Sequence, residues 1–235
     1  MDYRVSVFTP IYKGAKFIDH FLEDLRRQSI FHETEFLLLD ADSPEQEYAS
    51  IEKYLGYKNI KYINTGKCPV YESWNKGVEL ASAPLIGNWN LDDRRIYNSL
   101  QKQVEFLEEN SAYDVCYGPT LITHKPNQNV EFCDSKAVWQ AFEGTIENQL
   151  RHNSPHCLPV WRTDIHEKWG NFDTSYFSAA DYDMWFRVLE GGGKLKNLDF
   201  VVGSYYKNPL GISSNQTTLK KALKEVEKVR ERYGI

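Results

Sequence analysis

No stretch of this sequence is apolar over the length that a bilayer-spanning helix needs. The N-terminus, MDYRVSVFTP, lacks the basic region and long apolar core of a secretory signal peptide. The net charge of -5 disfavours a general binder of nucleic-acid phosphates, although a local basic patch can still face lipid or an anionic acceptor. We therefore expect a soluble, cytoplasmic protein with no nucleic-acid partner.

Motifs that would identify a cofactor are also missing. The four cysteines form no C-x-x-C pair, which argues against a zinc knuckle or a redox motif and predicts reduced, partly buried thiols. Neither G-x-G-x-x-G nor G-x-x-x-x-G-K-[ST] occurs, so a dinucleotide fingerprint and a P-loop are both absent. Any bound phosphate must be held in another way. The cysteines are Cys68, Cys116, Cys133 and Cys157.

The composition of the chain is that of one compact folded unit. Of its 235 residues 41% are hydrophobic and 26% charged, and no low-complexity tract or flexible linker interrupts them. In the first half, short apolar runs alternate with segments of helical spacing, which predicts βαβ units and a parallel sheet with right-handed crossovers. Strands are predicted at Val5–Thr9, Phe36–Leu39, Ile60–Ile63, Leu85–Trp89 and Asp114–Tyr117, and helices from Ala15, from Pro44 with Ser43 as N-cap, at Val70–Leu80 and across Ile96–Leu107.

Beyond Gly118 the pattern predicts smaller, mixed elements. One helix ends at three successive glycines, and a charged helix with a narrow apolar stripe closes the sequence. This stripe can dock on the body of the protein or on a partner. Strands are predicted at Thr120–His124, Val130–Cys133, Lys194–Leu198 and Val201–Tyr206, helices at Ala179–Glu190 and Thr217–Tyr233, and the stripe comprises Leu219, Leu223, Val226 and Val229.

The segment LIGNWNLDDRR, residues 85–95, ends a buried strand on charged groups. Its apolar run stops at Asn90, and two adjacent acids follow, Asp92 and Asp93. Ligands of open α/β sheets lie outside the carboxyl ends of the strands, so acidic oxygens there can hold a hard divalent cation against substrate phosphates. The structural alternative is a turn and helix N-cap whose charge the next two arginines neutralise. On this segment alone the two interpretations weigh about equally.

Two other predicted strand tips carry polar side chains. Thr9 and Tyr12 follow the first strand, and Asp40 and Asp42 follow the second. Because consecutive parallel strands end at the same edge of a sheet, these groups should converge with the Asn90 tip. Convergence favours a binding site.

Four segments match the motifs of one known family. VSVFTPIYKGAKFIDHFLEDLRRQS matches its opening strand, T-P-x-Y loop and helix, and LLLDADSPEQ resembles its second acidic strand tip. WNKGVELASAPLIGNWNLDD resembles its R-N-x-G helix and D-x-D strand, and GNFDTSYFSAADYDMWFRVLEGGGKL its G-x-F-D and E-D-x-x-x-x-x-R segments. The chain thus resembles the family 2 glycosyltransferases of bacterial glycan biosynthesis. The resemblance implies the GT-A fold, an α/β, Rossmann-like and mostly parallel central sheet flanked by helices, with a smaller mixed α+β half on the acceptor side.

The resemblance also implies roles. An acid of the D-x-D would bind Mn2+ or Mg2+ and neutralise charge on the leaving diphosphate, and an acid of the E-D segment would take the acceptor's proton. These acids are Asp92 and Asp181. The implied nucleotide contacts are Thr9 and Tyr12 to the base, Asp40 or Asp42 to uracil or ribose, and Asn75 and Asn90 nearby.

Within one compact domain, the resemblance assigns three parts. Residues 1–118 would form the nucleotide-sugar-binding half, 119–215 the half with the acceptor site and catalytic base, and 216–235 a C-terminal helix. His156 and Trp161 are weaker candidates for touching the diphosphate or the acceptor, because a lone histidine is more often structural and this tryptophan fits a core. Asp183 is expected to be a solvated charge on its helix. Trp185, like Trp161, is expected to lie in the core.

The sequence departs from the family pattern at several positions. Ala41 shifts the second acid of the usual D-D-G-S tip by one residue, and Trp74 stands where arginine is common. Asn90 takes the place of the first acid of the D-x-D, and Ala180 replaces the glutamate of E-D, which removes a possible orienting acid.

These observations predict a metal-dependent inverting glycosyltransferase. It would move a sugar from a nucleotide diphosphate sugar, with a UDP-sugar expected, to a glycan or lipid-linked acceptor in cell-surface polysaccharide biosynthesis. One alternative is a catalytically inactive GT-A scaffold that binds nucleotide or glycan. Another is a sugar-nucleotide pyrophosphorylase, whose Gly-rich loop with Arg and Lys is not supplied by TPIYKGAKF. The lysines of the last helix suggest peripheral contact with the cytoplasmic membrane face, and a solvated helix face is the simpler alternative.

Overall fold

The structure is a computed structural model that describes residues 2–133, 137–212 and 214–234. The strands are β1 Val5–Ile11, β2 Thr34–Asp40, β3 Ile60–Asn64, β4 Leu85–Asn88, β5 Arg94–Arg95, β6 Val115–Tyr117, β7 Thr120–Thr123, β8 Val138–Trp139, β9 Val160–Arg162, β10 Leu195–Asn197 and β11 Gly203–Tyr206. The helices are α1 Ala15–Arg27, α2 Tyr48–Ile51, α3 Val70–Leu80, α4 Ser99–Glu109, α5 Ile146–Arg151, α6 Ile165–Trp169, α7 Ala180–Glu190 and α8 Gln216–Arg232. Single 3-10 turns cover Phe31–Glu33, Glu52–Tyr54 and Val130–Phe132.

A seven-stranded sheet forms the centre of the molecule, in the order β10-β6-β9-β4-β1-β2-β3. The four strands from β4 to β3 are parallel, and β10 is parallel to β6. β9, from the second half of the chain, runs antiparallel between β4 and β6. Every residue of β2 and β4 is buried, as expected for strands covered on both faces. The predicted α/β class with a mostly parallel sheet is confirmed.

Helices cover the two faces of this sheet as their apolar spacing predicts. On α3, Gly77 lies against the ring of Phe8 in β1, and a Cβ atom there would come within 2.6 Å of the ring. Only glycine therefore lets this helix approach the sheet so closely. α1 buries the apolar residues that its periodicity indicated, Phe17, Ile18, Phe21, Leu22 and Leu25.

A second sheet, in the order β5-β11-β7-β8, lies beside the end of β4. Its strand β5 follows the acidic tip directly, and β11 pairs antiparallel with β5. At the end of β11 the Tyr206 amide donates to Asp93 Oδ1 at 3.2 Å. The second sheet thus brings a segment near the end of the chain to the tip of β4.

Two local predictions were wrong. Val130–Cys133 was expected to be a strand, but Val130–Phe132 forms a 3-10 turn whose N-cap, Asn129, accepts the Glu131 amide at 3.1 Å. The helix expected from Pro44 begins only at Tyr48. Ser43 does not cap it, because the Ser43 hydroxyl accepts the Lys13 amide at 2.9 Å and donates to Glu47. In each case a side chain bonds nearby groups in place of the predicted element.

α8 docks on the body through part of its apolar stripe. Val229 is fully buried, whereas Leu219 and Leu223 are exposed. Among the described residues, no helix combines the length and the apolar character that crossing a membrane requires.

Asp183 corrects an expectation about α7. It is not a solvated helix charge: it is fully buried, and its carboxylate accepts hydrogen bonds from Arg187 Nε, Arg232 Nη1 and the Tyr233 hydroxyl at 2.8, 3.0 and 3.1 Å. Two of these donors come from the end of the chain, so no pattern within α7 could reveal them. Asp183 therefore joins α7 to the C-terminal segment.

Candidate active site

The carboxyl ends of β1, β2 and β4 meet at one edge of the main sheet. β1 lies between the other two strands, parallel to both, and its last residue, Ile11, pairs with Asp40 at the end of β2. The polar tips predicted from the sequence therefore share an edge. An open cavity of about 490 Å³ lies beside the first two tips and is lined by Tyr12, Ala41, Lys67, Cys68 and Pro69.

The side chains at the first two tips differ in how free they are to bind a ligand. Thr9 is fully buried, and among the described residues its hydroxyl has no hydrogen-bond partner. Tyr12 is 49% exposed at the cavity. The Asp40 carboxylate already accepts the Ser43 amide at 2.8 Å and the Tyr62 hydroxyl at 2.6 Å. Tyr12 is thus the most accessible of the three, and Asp40 is held in place by its own neighbours.

Asp42 follows β2, and Asn75 belongs to α3. Asp42 is exposed and has a φ of 59°, a left-handed conformation that turns the chain after β2. The Asn75 amide donates to the Phe172 carbonyl at 2.8 Å, and its oxygen accepts the Phe172 amide at 3.0 Å. Asn75 therefore fastens α3 to the second half of the chain.

Of the two acids at the β4 tip, Asp92 has fewer hydrogen bonds to its carboxylate. Its Oδ2 accepts one hydrogen bond, from Asn208 Nδ2 at 3.0 Å, and burial raises its pKa. Arg94 donates to the backbone carbonyls of Leu91 and Asp93 at 2.8 and 2.6 Å, not to the Asp92 carboxylate. Arg94 therefore acts on Asp92 through its charge, which lowers the pKa of that acid, and not through a hydrogen bond.

The neighbouring acid, Asp93, is part of the structure. It is buried, and its carboxylate accepts hydrogen bonds from Cys157 Sγ at 3.3 Å, Asn90 Nδ2 at 3.3 Å and the Tyr206 amide. Burial, and then the charge of Asp92, raise the pKa of Asp93. Asn90 donates its side-chain amide to Asp93, so the two adjacent aspartates differ: Asp93 joins several segments at the tip, whereas Asp92 is bound to Asn208.

The donor set of this tip fits a hard divalent cation that is shared with a substrate. No group of three or more His, Cys, Asp or Glu side chains that could enclose a metal occurs among residues 2–133, 137–212 and 214–234. Mg2+ typically keeps several waters and binds one or two carboxylates together with substrate phosphates. A single oriented carboxylate, Asp92, matches that arrangement, and Asn208 holds it in position.

Asp181 lies in the first turn of α7, and both of its oxygens are hydrogen-bonded. Oδ1 accepts the Tyr71 hydroxyl at 2.8 Å, and Oδ2 accepts Asn153 Nδ2 at 3.1 Å. Burial raises the pKa of Asp181, and these two hydrogen bonds oppose that rise. The result is a carboxylate of increased basicity whose direction is set from two sides.

The two weaker candidates lie in different surroundings. Trp161 is fully buried, packs edge-on against Trp185 and donates Nε1 to His166 at 3.0 Å, so it is a core residue. His156 stacks on Trp139 with ring centroids 4.2 Å apart, and burial lowers its pKa to about 4. His156 is therefore a neutral imidazole under an aromatic ring that is 38% exposed.

Three site residues were missed by sequence reasoning, namely Asn208, Tyr71 and Asn153. Asn208 is 116 residues from Asp92, and Tyr71 is 110 residues from Asp181. The only local signal was that Tyr71 shares a helix with the motif residue Asn75. Their roles depend on contacts that only the fold creates.

A mostly parallel α/β sheet with polar side chains at adjoining strand tips, beside an open cavity, agrees with the GT-A fold. The chain belongs to glycosyl transferase family 2, whose model matches residues 6–167. The resemblance recognised in the sequence is thereby confirmed. A comparison with the curated proteins finds no match.

Solved structures share this fold. The structure of S. aureus TarS 1-349 in complex with UDP-GlcNAc has a TM-score of 0.78 at 19% identity and covers 99% of this chain and 66% of that one. TarS 1-349 in another crystal structure has a TM-score of 0.74 at 20% identity, with 99% and 65% covered. Mannosyltransferase PcManGT from Pyrobaculum calidifontis, in complex with GDP-Man and Mn2+, has a TM-score of 0.73 at 15% identity, with 100% and 66% covered. The chain thus spans about two thirds of the length of these structures, and the likeness establishes the fold.

Proposed function

We propose that this protein is a metal-dependent, inverting glycosyltransferase that uses a nucleotide diphosphate sugar. One observation carries the proposal: Pro69, which lines the cavity, is the N-cap of α3, and Tyr71, two residues later, donates to Asp181. A candidate donor cavity and a candidate base are therefore joined by one short segment. An enzyme that brings a bound donor to a base needs such proximity.

The donor in this proposal is a UDP-sugar. The exposed Tyr12 ring offers a surface on which a base can stack, and Thr9, Asp40, Asp42, Asn75 and Asn90 remain the proposed residues around the nucleotide. TarS has been solved with UDP and with UDP-GlcNAc, which supports uridine. PcManGT has been solved with GDP-Man, so a guanosine donor is the competing outcome.

Asp92 is the proposed ligand of Mn2+ or Mg2+. A divalent cation bound there supplies positive charge to the diphosphate oxygens as the leaving group departs. The complex of PcManGT contains Mn2+, which supports metal use in this fold. Asn208, by donating to Oδ2 of Asp92, restricts which carboxylate oxygen faces the diphosphate.

Asp181 is the proposed catalytic base. In a single displacement, the acceptor hydroxyl attacks the anomeric carbon from the face opposite the diphosphate, and Asp181 takes its proton. One displacement inverts the anomeric configuration and needs no covalent nucleophile. The raised pKa of Asp181 makes its carboxylate a better proton acceptor than an exposed aspartate.

The acceptor in this proposal is a glycan or a lipid-linked sugar that packs on Trp139. The segment 152–156 connects this ring to the base, because Asn153 donates to Asp181 and His156 stacks beneath Trp139. Three residues of chain span at most about 10 Å, so the ring lies within reach of an acceptor sugar held at Asp181. An exposed aromatic face next to a base suits the apolar face of a sugar ring.

Replacing Trp139 with alanine should weaken acceptor binding without affecting the donor. With soluble oligosaccharides as acceptors, we expect the acceptor KM to rise about fivefold, since an aromatic contact of this kind contributes about 1 kcal/mol. Tyr57→Ala is a matched control, because Tyr57 is similarly exposed and also packs on an aromatic ring. Equal KM values for the two variants would place the acceptor elsewhere.

The proposed cell-surface polysaccharide biosynthesis, cytoplasmic location and peripheral membrane contact stay predictions. Two lysines of α8 lie over aromatic rings, with Lys221 Nζ 4.3 Å from the Phe177 ring and Lys228 Nζ 5.1 Å from the Tyr176 ring. Lys220 and Lys224 of α8 are also exposed, and in this proposal they contact anionic lipid.

Isothermal titration of UDP, GDP, ADP and CDP, with and without Mn2+, tests the donor and metal sites together. We expect one diphosphate to bind in the presence of Mn2+, and Asp92→Asn to weaken that binding by about a hundredfold or more. Asp19→Asn changes an exposed acid of α1 and should bind as wild type does.

The other outcomes of this titration would each support a different function for this protein. Binding that ignores both Mn2+ and Asp92 would favour an inactive nucleotide-binding scaffold. If no diphosphate binds but a sugar phosphate with UTP does, and pyrophosphate is released, the protein is a sugar-nucleotide pyrophosphorylase.

A further inference from the structure

The carboxylate of Asp181 receives one hydrogen bond from each half of the chain. Tyr71 belongs to α3, at the donor cavity, and Asn153 follows α5 on the acceptor side. Each donor addresses a different carboxylate oxygen. This arrangement fixes both the rotation and the direction of the carboxylate, which a single hydrogen bond would not do.

Both donors are themselves held in place. The Tyr71 ring is buried, packs edge-on against Trp74 at 5.3 Å and stacks on Phe172 at 6.1 Å. The side-chain oxygen of Asn153 accepts Gln149 Nε2 at 3.3 Å, so its NH2 group is the end that faces Asp181. Donors with fixed positions lose little freedom when they orient a partner.

The residue before Asp181 in the sequence cannot orient its carboxylate. Ala180 stands where family 2 glycosyltransferases commonly have a glutamate. It is fully buried in the apolar core. No polar group is available at that position to orient Asp181. The Tyr71 hydroxyl and the Asn153 amide therefore orient Asp181 in place of that glutamate.

We propose that Tyr71 and Asn153 are positioning residues that direct the Asp181 carboxylate toward the acceptor hydroxyl and favour its ionised form. This inference rests on the proposed role of Asp181 as base. A hydrogen bond donated to a carboxylate stabilises the charged form, whereas burial opposes it.

The other ionisable groups near Asp181 either stay neutral or are bound to other residues. Tyr71 stays protonated, because burial and the Asp181 charge raise its pKa well above the ordinary value. The next acid of α7, Asp183, is bound to Arg187, Arg232 and Tyr233. His152, next to Asn153, stacks on Phe142 at 4.2 Å. The ionisation of Asp181 therefore depends mainly on burial and on its two donors.

The test is the pH profile of UDP-sugar hydrolysis, with water as acceptor and released UDP as the measured product. In Tyr71→Phe and in Asn153→Ala, the acidic limb of kcat should move up by about one pH unit, because a hydrogen bond to the ionised form is lost. The loss of kcat should be about tenfold on the acidic limb and smaller at high pH, with the donor KM unchanged.

Tyr117→Phe is the matched control. Tyr117 is also buried, and its hydroxyl donates to the Phe142 carbonyl at 2.6 Å, so the substitution removes a buried hydroxyl without touching Asp181. Its acidic limb should stay where the wild type has it. Titration of UDP with Mn2+ into each variant confirms that the donor site is folded.

Asp181→Asn separates failure of this inference from failure of the proposed function. If Asp181→Asn remains active, Asp181 is not the base and the proposed mechanism is wrong. If Asp181→Asn is inactive while Tyr71→Phe and Asn153→Ala keep the wild-type acidic limb, with or without a loss of kcat that is equal at every pH, the two donors do not favour the ionised form and the inference is wrong.

Discussion

Asp24, on α1, is an acid that the fold keeps largely buried outside the candidate active site. Its Oδ2 accepts the Arg95 amide at 3.1 Å, and with Arg27, Arg95 and Tyr97 it lines a cavity of about 210 Å³. Burial raises its pKa from 3.8 to about 6, although the hydrogen bond and the nearby arginines oppose the rise. The folded state therefore binds this proton more tightly than the unfolded state does.

Asp24→Asn should change how stability depends on pH. In the wild type, the stabilisation from the protonated form is complete below about pH 4 and is lost as the pH rises through about 6. Asparagine does not titrate and keeps an oxygen for the Arg95 amide. Relative to wild type, the variant should gain about 2 to 3 kcal/mol in free energy of unfolding between pH 4 and pH 7. Urea denaturation at both pH values measures this, and an equal difference at the two would contradict it.

α8 connects the end of the chain to the helix that carries Asp181. Its Glu225 accepts the backbone amides of Phe177 and Ser178 at 2.8 and 2.7 Å, and so holds the segment that leads into α7. Tyr233, just beyond α8, stacks on Phe186 of α7 at 4.7 Å. The C-terminal helix is thus part of the support of the candidate base.

Truncating Val229 should destabilise the protein much more than truncating Leu223, although both are apolar residues of one predicted stripe. Val229 is fully buried, so Val229→Ala leaves a small cavity and should lower the free energy of unfolding by about 1 to 3 kcal/mol. Leu223 is 54% exposed, and Leu223→Ala should change it by less than about 0.5 kcal/mol. Chemical denaturation of both variants decides this. Equal effects would mean that α8 does not dock as described.

At the scale of the whole molecule, the two halves of the chain share one sheet. β9 lies between β4 and β6, so the boundary predicted at residue 118 separates strands that are neighbours in space. The proposed division into residues 1–118 and 119–215 stays a functional description. It does not describe two units that can fold apart.

Unfolding should therefore be a single transition. Removing β9 would expose the edges of both β4 and β6, so neither half has a reason to survive the loss of the other. Thermal scans followed by far-UV circular dichroism and by tryptophan fluorescence should give coincident midpoints. Two resolved transitions, or a folded fragment of residues 1–118, would contradict this expectation.

What the sequence by itself determined is local. The apolar runs of β1, β2 and β4 and the helical spacing of α1 and α3 follow from neighbouring residues, and so does the position of polar groups at the strand ends. Because parallel strands of consecutive βαβ units end at one edge, the meeting of these tips was predictable as well. The motif order was enough to recognise the family, which the match over residues 6–167 confirms.

Only the tertiary structure decided which acids are free and which are held. Asp92 and Asp93 are adjacent in the sequence, yet Asp93 accepts hydrogen bonds from Cys157 and the Tyr206 amide, whereas Asp92 accepts one from the side-chain amide of Asn208. The contacts of Asp181 likewise come from distant segments. The reason is physical: the ionisation and the availability of a carboxylate depend on burial and on its hydrogen-bond donors, and here folding brings those donors from parts of the chain that no local pattern connects.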